Sequence, residues 1–111
     1  SQTVNSPDIR FRIRRARLTV QHYQASLLQY ANQLFCTVDA AERGGRNPFI
    51  FAVAVVYGAD LIMAKTAKRR PILTQRLVSQ ATTAAEYSVR DHYAKLLKSR
   101  LSSMLPQAKL H

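Results

Sequence analysis

The sequence predicts an all-α fold of three helices. Three observations carry the prediction. Apolar residues recur at alternating steps of three and four along the first third of the chain. A run over residues 48–64 is apolar on nearly every side of a helical wheel. All four prolines stand at the edges of such stretches, not inside them.

The first helix is expected over residues 7–43, after a short tail at 1–6. Ser6-Pro7-Asp8 reads as an N-cap, a proline at the first helical position and an acid that suits the helix dipole. From there Ile9, Ile13, Ala16, Val20, Tyr23, Leu27, Tyr30 and Leu34 trace one stripe, and nothing breaks the pattern until Gly44-Gly45. Ile9, Phe11 and Ile13 alternate with arginines, as a strand would. That alternation covers about six residues against about thirty for the helical stripe, and the longer periodic run is the stronger signal. Cys36 falls within this helix and is expected to be a small buried apolar group.

The second helix is expected over 48–70. Asn47-Pro48 repeats the cap-and-proline start, and Lys65, Lys68, Arg69 and Arg70 give the basic end that a helix C-terminus favours before Pro71 stops it. Its apolar run has no polar face, so the helix must be surrounded by protein or by lipid. Two further helices are too few to enclose it. The core is therefore not self-sufficient, and residues 48–64 are expected against lipid, a second copy or another subunit. Phe49, Val53, Val56, Gly58 and Asp60 are the expected helix-interface residues, with Gly58 permitting close approach and Asp60 needing a protein partner. Seventeen residues span about 25 Å, slightly short of the ~30 Å hydrocarbon core.

The third helix is expected over 72–105, broken near residue 82. Val78, Ala81, Ala85, Val89, Leu96, Leu97 and Leu101 trace its apolar face, and Thr83-Ala84-Ala85-Glu86 matches a capping box that would restart a helix. A tail is expected at 106–111.

Composition bounds the chemistry. The chain has 111 residues, 17 Lys and Arg against 6 Asp and Glu, a net charge of +11 and 47% hydrophobic residues. That size suits one domain, and the apolar content excludes wholesale disorder. One cysteine excludes an internal disulfide. The histidines at 22, 92 and 111 lack metal-ligand spacing, and no phosphate-loop or nucleophile motif appears, so neither a cofactor nor an enzymatic activity is expected. No secretory signal is expected, and the start at Ser1 fits either a processed or a trimmed N-terminus.

The basic residues are the most informative feature. Arg10, Arg12, Arg14, Arg15 and Arg17 place five guanidiniums within eight residues with only Asp8 nearby, and Lys68, Arg69 and Arg70 form a second cluster. Both are expected to contact an anionic partner, whether an acidic protein surface, anionic lipid or phosphate. The expected function is a non-enzymatic accessory subunit of a larger assembly, a membrane complex such as one in the mitochondrial inner membrane. It would act through helix docking and scaffolding with other protein subunits. The alternative is a soluble basic helical nucleic-acid-binding module, as in a ribosomal or nucleoprotein component.

Overall fold

A computed structural model describes residues 3–105 of the chain. The described residues are mostly helical and contain no strand, so the fold is all-α, but they form six helices and not three. These are α1 (Pro7–Arg15), α2 (Val20–Phe35), α3 (Ala40–Arg43), α4 (Pro48–Ala67), α5 (Gln75–Thr82) and α6. The last runs from Glu86–His92 through a π-helical turn, Tyr93–Leu97, into Lys98–Met104. The tail expected at 106–111 lies outside the described residues. The N-terminal tail expected at 1–6 is corrected at Thr3–Asn5, a 3-10 turn whose Val4 is buried in the core.

The single helix expected over 7–43 is three helices, and the physical reason is a closure made without glycine. Arg17 takes the left-handed conformation, φ 63°. This lets the Arg17 amide donate to Arg14 O at 2.9 Å and the Leu18 amide to Ile13 O at 3.1 Å, which satisfies the last carbonyls of α1. Thr19 then starts α2, its hydroxyl accepting from the His22 amide at 3.2 Å. α2 ends at Phe35. Asp39 and Glu42 cap α3 reciprocally, the Asp39 amide donating to Glu42 Oε1 at 3.1 Å. Cys36, expected to be buried, is exposed in the intervening turn.

The long apolar helix is the centre of the molecule. Asn47 Oδ1 accepts from the amides of Phe49 and Ile50 at 2.9 and 3.3 Å, and Pro48 fills the first position. At the far end Lys68 adopts φ 56°, and the Arg69 amide reaches Ala64 O at 2.9 Å. α4 packs against α2, α5 and both segments of α6. Phe51, Val53, Ala54, Val55, Ala59, Ile62 and Met63 are buried there, so the chain covers more of this helix than expected, while Phe49 and Ala52 remain exposed. That reasoning counted whole helices. The breaks at 16–19 and 83–85 let shorter segments wrap α4 from several sides, and a single core runs from Val4 to Leu101.

Two residues of α4 fix how its neighbours sit. A Cβ on Gly58 would lie 2.8 Å from Leu34 Cδ2, 3.6 Å from Leu101 Cδ1 and 3.7 Å from Tyr93 Cε1, so α2 and α6 converge where α4 has no side chain. Two residues further on, Asp60 is fully buried. The Tyr23 hydroxyl donates to its Oδ1 at 2.8 Å and the Leu73 amide to its Oδ2 at 2.9 Å. The acid thus pins α2 and the segment entering α5 to the central helix. Further along, Leu96 and Leu97 are adjacent yet both buried, and the wider π turn brings both to the core side before Leu101.

Burial raises the Asp60 carboxyl above its ordinary 3.8, with the bonds from Leu73 and Tyr23 pulling the other way. The folded chain therefore holds that proton more tightly than the unfolded chain. The stability this brings is fully present below the ordinary value and is lost as pH rises through the raised one. Measured by urea unfolding, the stability of the wild type relative to Asp60→Asn is expected to fall as pH rises from acid toward neutral. A difference that grows with pH would contradict the assignment. Tyr23→Phe, which strands one carboxylate oxygen in the core, is expected to lower stability by about 1–3 kcal/mol at neutral pH.

Candidate nucleic-acid interface

α1 is amphipathic in a simple way. Ile9 and Ile13 are fully buried, while Arg14, Arg15 and Arg17 are exposed and Arg10 and Arg12 are half-buried. Arg12 turns inward. Its Nε donates to Ile72 O at 2.5 Å and its Nη2 to Pro71 O at 3.2 Å, tying α1 to the loop between α4 and α5. This side chain holds structure, and its position brings the two basic runs of the sequence into neighbouring parts of one surface. On the other side of the tie, Lys68 and Arg70 are exposed, and Arg69 is half-buried, donating to Arg70 O at 3.0 Å. Arg10 reaches Asn5 Oδ1 at 3.5 Å.

Asp8 is exposed in the first turn of α1 and Glu86 at the start of α6, and the other four acids are engaged. Asp60 is in the core, Asp39 caps α3, Glu42 pairs with Arg100, and Asp91 pairs with Lys95 at 3.1 Å and Arg46 at 3.7 Å. The Lys95 hydrogen bond is the main influence holding the Asp91 carboxyl below its ordinary value. The Asp39 amide, followed by Arg100, does the same for Glu42. Among the described residues Arg14, Arg15, Arg17, Lys68 and Arg70 therefore have no carboxylate partner.

α5 and α6 form a second feature, whose break near residue 82 the sequence predicts but whose packing of the two helices against each other it does not. Thr74 caps α5, accepting from the Leu77 amide at 3.0 Å. Thr83, in the left-handed region at φ 63°, ends α5 where a capping box was expected to start α6. Ala85 is the N-cap of α6, and the Thr83 hydroxyl bonds to Thr82 O instead of to a helix amide. A β-branched residue in this conformation is strained, and the strain is held by Ala84, Thr82 and Val89 buried around it. The result is a helix, a three-residue turn and a second helix packed against the first. The second helix presents Glu86, Tyr87, Arg90 and Ala94 to solvent, Tyr87 being 68% exposed. The signal available in the sequence was two short apolar stripes, around Val78 and Val89, separated by Thr82-Thr83-Ala84 without glycine.

A shallow cavity between Asn5, Ser6, Asp8, Gln80 and Ala81 marks where the start of α1 meets the end of α5. The expected helix-interface residues are not gathered in one outward surface. Val53, Gly58 and Asp60 are buried within this chain, Val56 is half-buried, and Phe49 is 47% exposed at the start of α4. Among the described residues no three of His, Cys, Asp and Glu come together as metal ligands would, and His92 Nδ1 is bonded to Ser88 O at 2.8 Å.

Arg12 and its neighbours are expected to separate by function. Arg12→Ala is expected to lower stability by about 1–3 kcal/mol, because two carbonyls lose a charged donor. Arg14→Ala and Arg15→Ala are expected to change stability by less than about 0.5 kcal/mol. Thermal or urea unfolding of the three variants checks this, and equal effects would contradict the division.

Comparison of the chain with protein-family models, with characterised proteins and with solved structures finds no match.

Proposed function

We propose that this chain is a non-enzymatic nucleic-acid-binding module that docks on duplex DNA. The observation that supports this best is the α5–turn–α6 unit, with an exposed second helix, on a chain whose α1 also carries exposed arginines without carboxylate partners. A helix with its side chains is about 10–12 Å across, which suits the ~12 Å major groove of B-form DNA and not the deep, narrow major groove of A-form RNA. In this reading α6 enters the groove. Arg90 donates to guanine N7 and O6, Glu86 accepts from cytosine N4, and Tyr87 lies against base edges or sugar. Arg14, Arg15 and Arg17 on α1, with Lys68 and Arg70, contact phosphates and set the orientation.

The enclosure of α4 weighs toward this reading over a subunit of an organelle membrane complex. The case for lipid rested on a helix that its own chain could not cover and on the basic residues at both of its ends. α4 is long and apolar enough to cross a membrane, but more than half of its most apolar stretch is buried inside the fold, as in the core helix of a soluble domain. Anionic lipid headgroups still offer the arginines the same phosphate chemistry, so the test includes them.

Fluorescence anisotropy with a mixed-sequence duplex DNA, a single-stranded RNA and cardiolipin-containing vesicles distinguishes the partners. The expected result is tightest binding to duplex DNA, with log K falling linearly in log salt at a slope of about −0.9 per phosphate contacted. Arg14→Ala and Arg15→Ala should each reduce that slope by about one, and Arg90→Ala should relax sequence preference with little change in slope. Folded protein that binds no duplex at low salt, or binds only the vesicles, would overturn the proposal.

A further inference from the structure

A cleft on another part of the molecule has features that duplex binding does not use. It is a cavity of about 260 Å³ lined by Phe35 at the end of α2, Ala40 and Arg43 of α3, Arg46, and Pro48 and Phe51 at the start of α4. The two rings meet at 5.5 Å between centroids, tilted by 59°. The Arg43 guanidinium covers both, 4.6 Å from the Phe35 centroid and 5.7 Å from that of Phe51.

Arg43 is held there without a polar partner. Among the described residues it makes no ion pair, and its Nε is buried with nothing to donate to. The acid beside it in sequence, Glu42, is taken by Arg100, and the acid facing Arg46, Asp91, is shared with Lys95. Arg43 is half-buried, and its buried Nε–H is a donor that an incoming anion could satisfy. Next to the cleft, α2 carries an apolar strip. Leu28 and Phe35 are two turns apart on one helical face, 62% and 38% exposed.

We propose that this cleft and strip dock an acidic amphipathic peptide segment of a partner protein. A large apolar side chain enters between Phe35, Pro48 and Phe51. A neighbouring carboxylate of the peptide pairs with Arg43, and further apolar side chains lie along α2 over Leu28, as in other helix-in-groove interfaces. The volume is below the ~300–1,000 Å³ of sites that enclose whole small molecules, which suits an inserted side chain. The guanidinium already occupies the space over both rings that a stacked nucleobase would need, which favours a peptide over a nucleic acid here. Charge complementarity selects the class of partner, because the cleft's free charge is cationic and the chain as a whole carries +11.

The test uses the full chain and a fluorescein-labelled synthetic peptide with Leu and Phe at i, i+3 and i+7 on one helical face and Asp or Glu elsewhere. Two control peptides change all acids to Asn or Gln, or the apolar residues to Ala. Saturable binding to the first peptide is expected, with a loss of at least about tenfold for each control and for Arg43→Ala and Phe35→Ala. Ala40→Glu places an acid at the exposed rim, where α3 begins and folding is least affected, and is expected to weaken the peptide by a similar factor. Arg14→Ala, on the other surface, should leave it unchanged. Absence of saturable binding would overturn the proposal. So would equal affinity for the neutralised peptide, or unchanged affinity in both Arg43→Ala and Ala40→Glu. A single-stranded oligonucleotide that binds the wild type and loses affinity in Arg43→Ala, with the peptide unaffected, would replace the peptide by nucleic acid.

Discussion

Asp60 sits in the interior of α4 with both carboxylate oxygens committed, one to the Tyr23 hydroxyl on α2 and the other to the Leu73 amide ahead of α5. An apolar helix with no polar face has little to set its rotation or its slide against neighbours, because most side-chain contacts can be exchanged for others of similar energy. A buried acid removes that freedom, since leaving it unpaired costs more than a misplaced methyl group. The Leu73 bond has the longer reach. It fixes the segment from which Thr74 caps α5, and α5 in turn places the Thr83 turn and α6. Arg12 holds the same segment from outside through Pro71 and Ile72. The candidate groove-binding helix is thus positioned by an interior hydrogen bond about 25 residues earlier in the chain.

Helical class was legible because period-3.6 spacing survives local breaks, and the apolar run at 48–64 was legible because nothing competes with it. The break near residue 82 was legible as well, but those at 16–19 and 36–39 were not. α1, α4 and α5 are closed by Arg17, Lys68 and Thr83 in the left-handed conformation that glycine usually supplies, so no glycine marked the break after α1. With α1 and α2 fused into one rod, too few pieces remained to surround α4, and lipid or another subunit had to be invoked. The role of Asp60 was half legible. An acid in an apolar helix demands a protein partner, but the partners are a tyrosine hydroxyl and a main-chain amide, and a main-chain amide leaves no trace in residue type. The clustering of Arg10 to Arg17 was visible as composition. That Arg12 departs from the cluster to hold a loop was not, because it depends on residues about sixty positions away.

The charge of the chain is divided according to these constraints. Four of its six acids serve structure, as caps, as partners of Arg100, Arg46 and Lys95, and as the core hydrogen-bond acceptor, and the exposed cations of α1 and the 68–70 segment have no carboxylate partner among the described residues. Arg43 is a separate case. It is neither paired nor freely solvated, and it rests on two phenylalanine rings at the mouth of an apolar cleft. The chain thus offers exposed cations on α1 and the 68–70 segment together with an exposed helix, and elsewhere a cation resting on apolar surface. The first arrangement suits a phosphate backbone, whose binding is driven by counterion release. The second suits a protein segment, whose binding is driven by burial.

Amide hydrogen exchange of the free chain in detergent-free buffer tests the central claim most directly, namely that α4 is this chain's own core helix, held by Asp60. The account predicts that amides over residues 53–63 exchange slowest, near the limit set by global unfolding, and that the Leu73 amide is protected although it lies outside any helix. Rapid exchange over residues 53–63 together with an unprotected Leu73 amide, slowing only when vesicles or a partner are added, would contradict it.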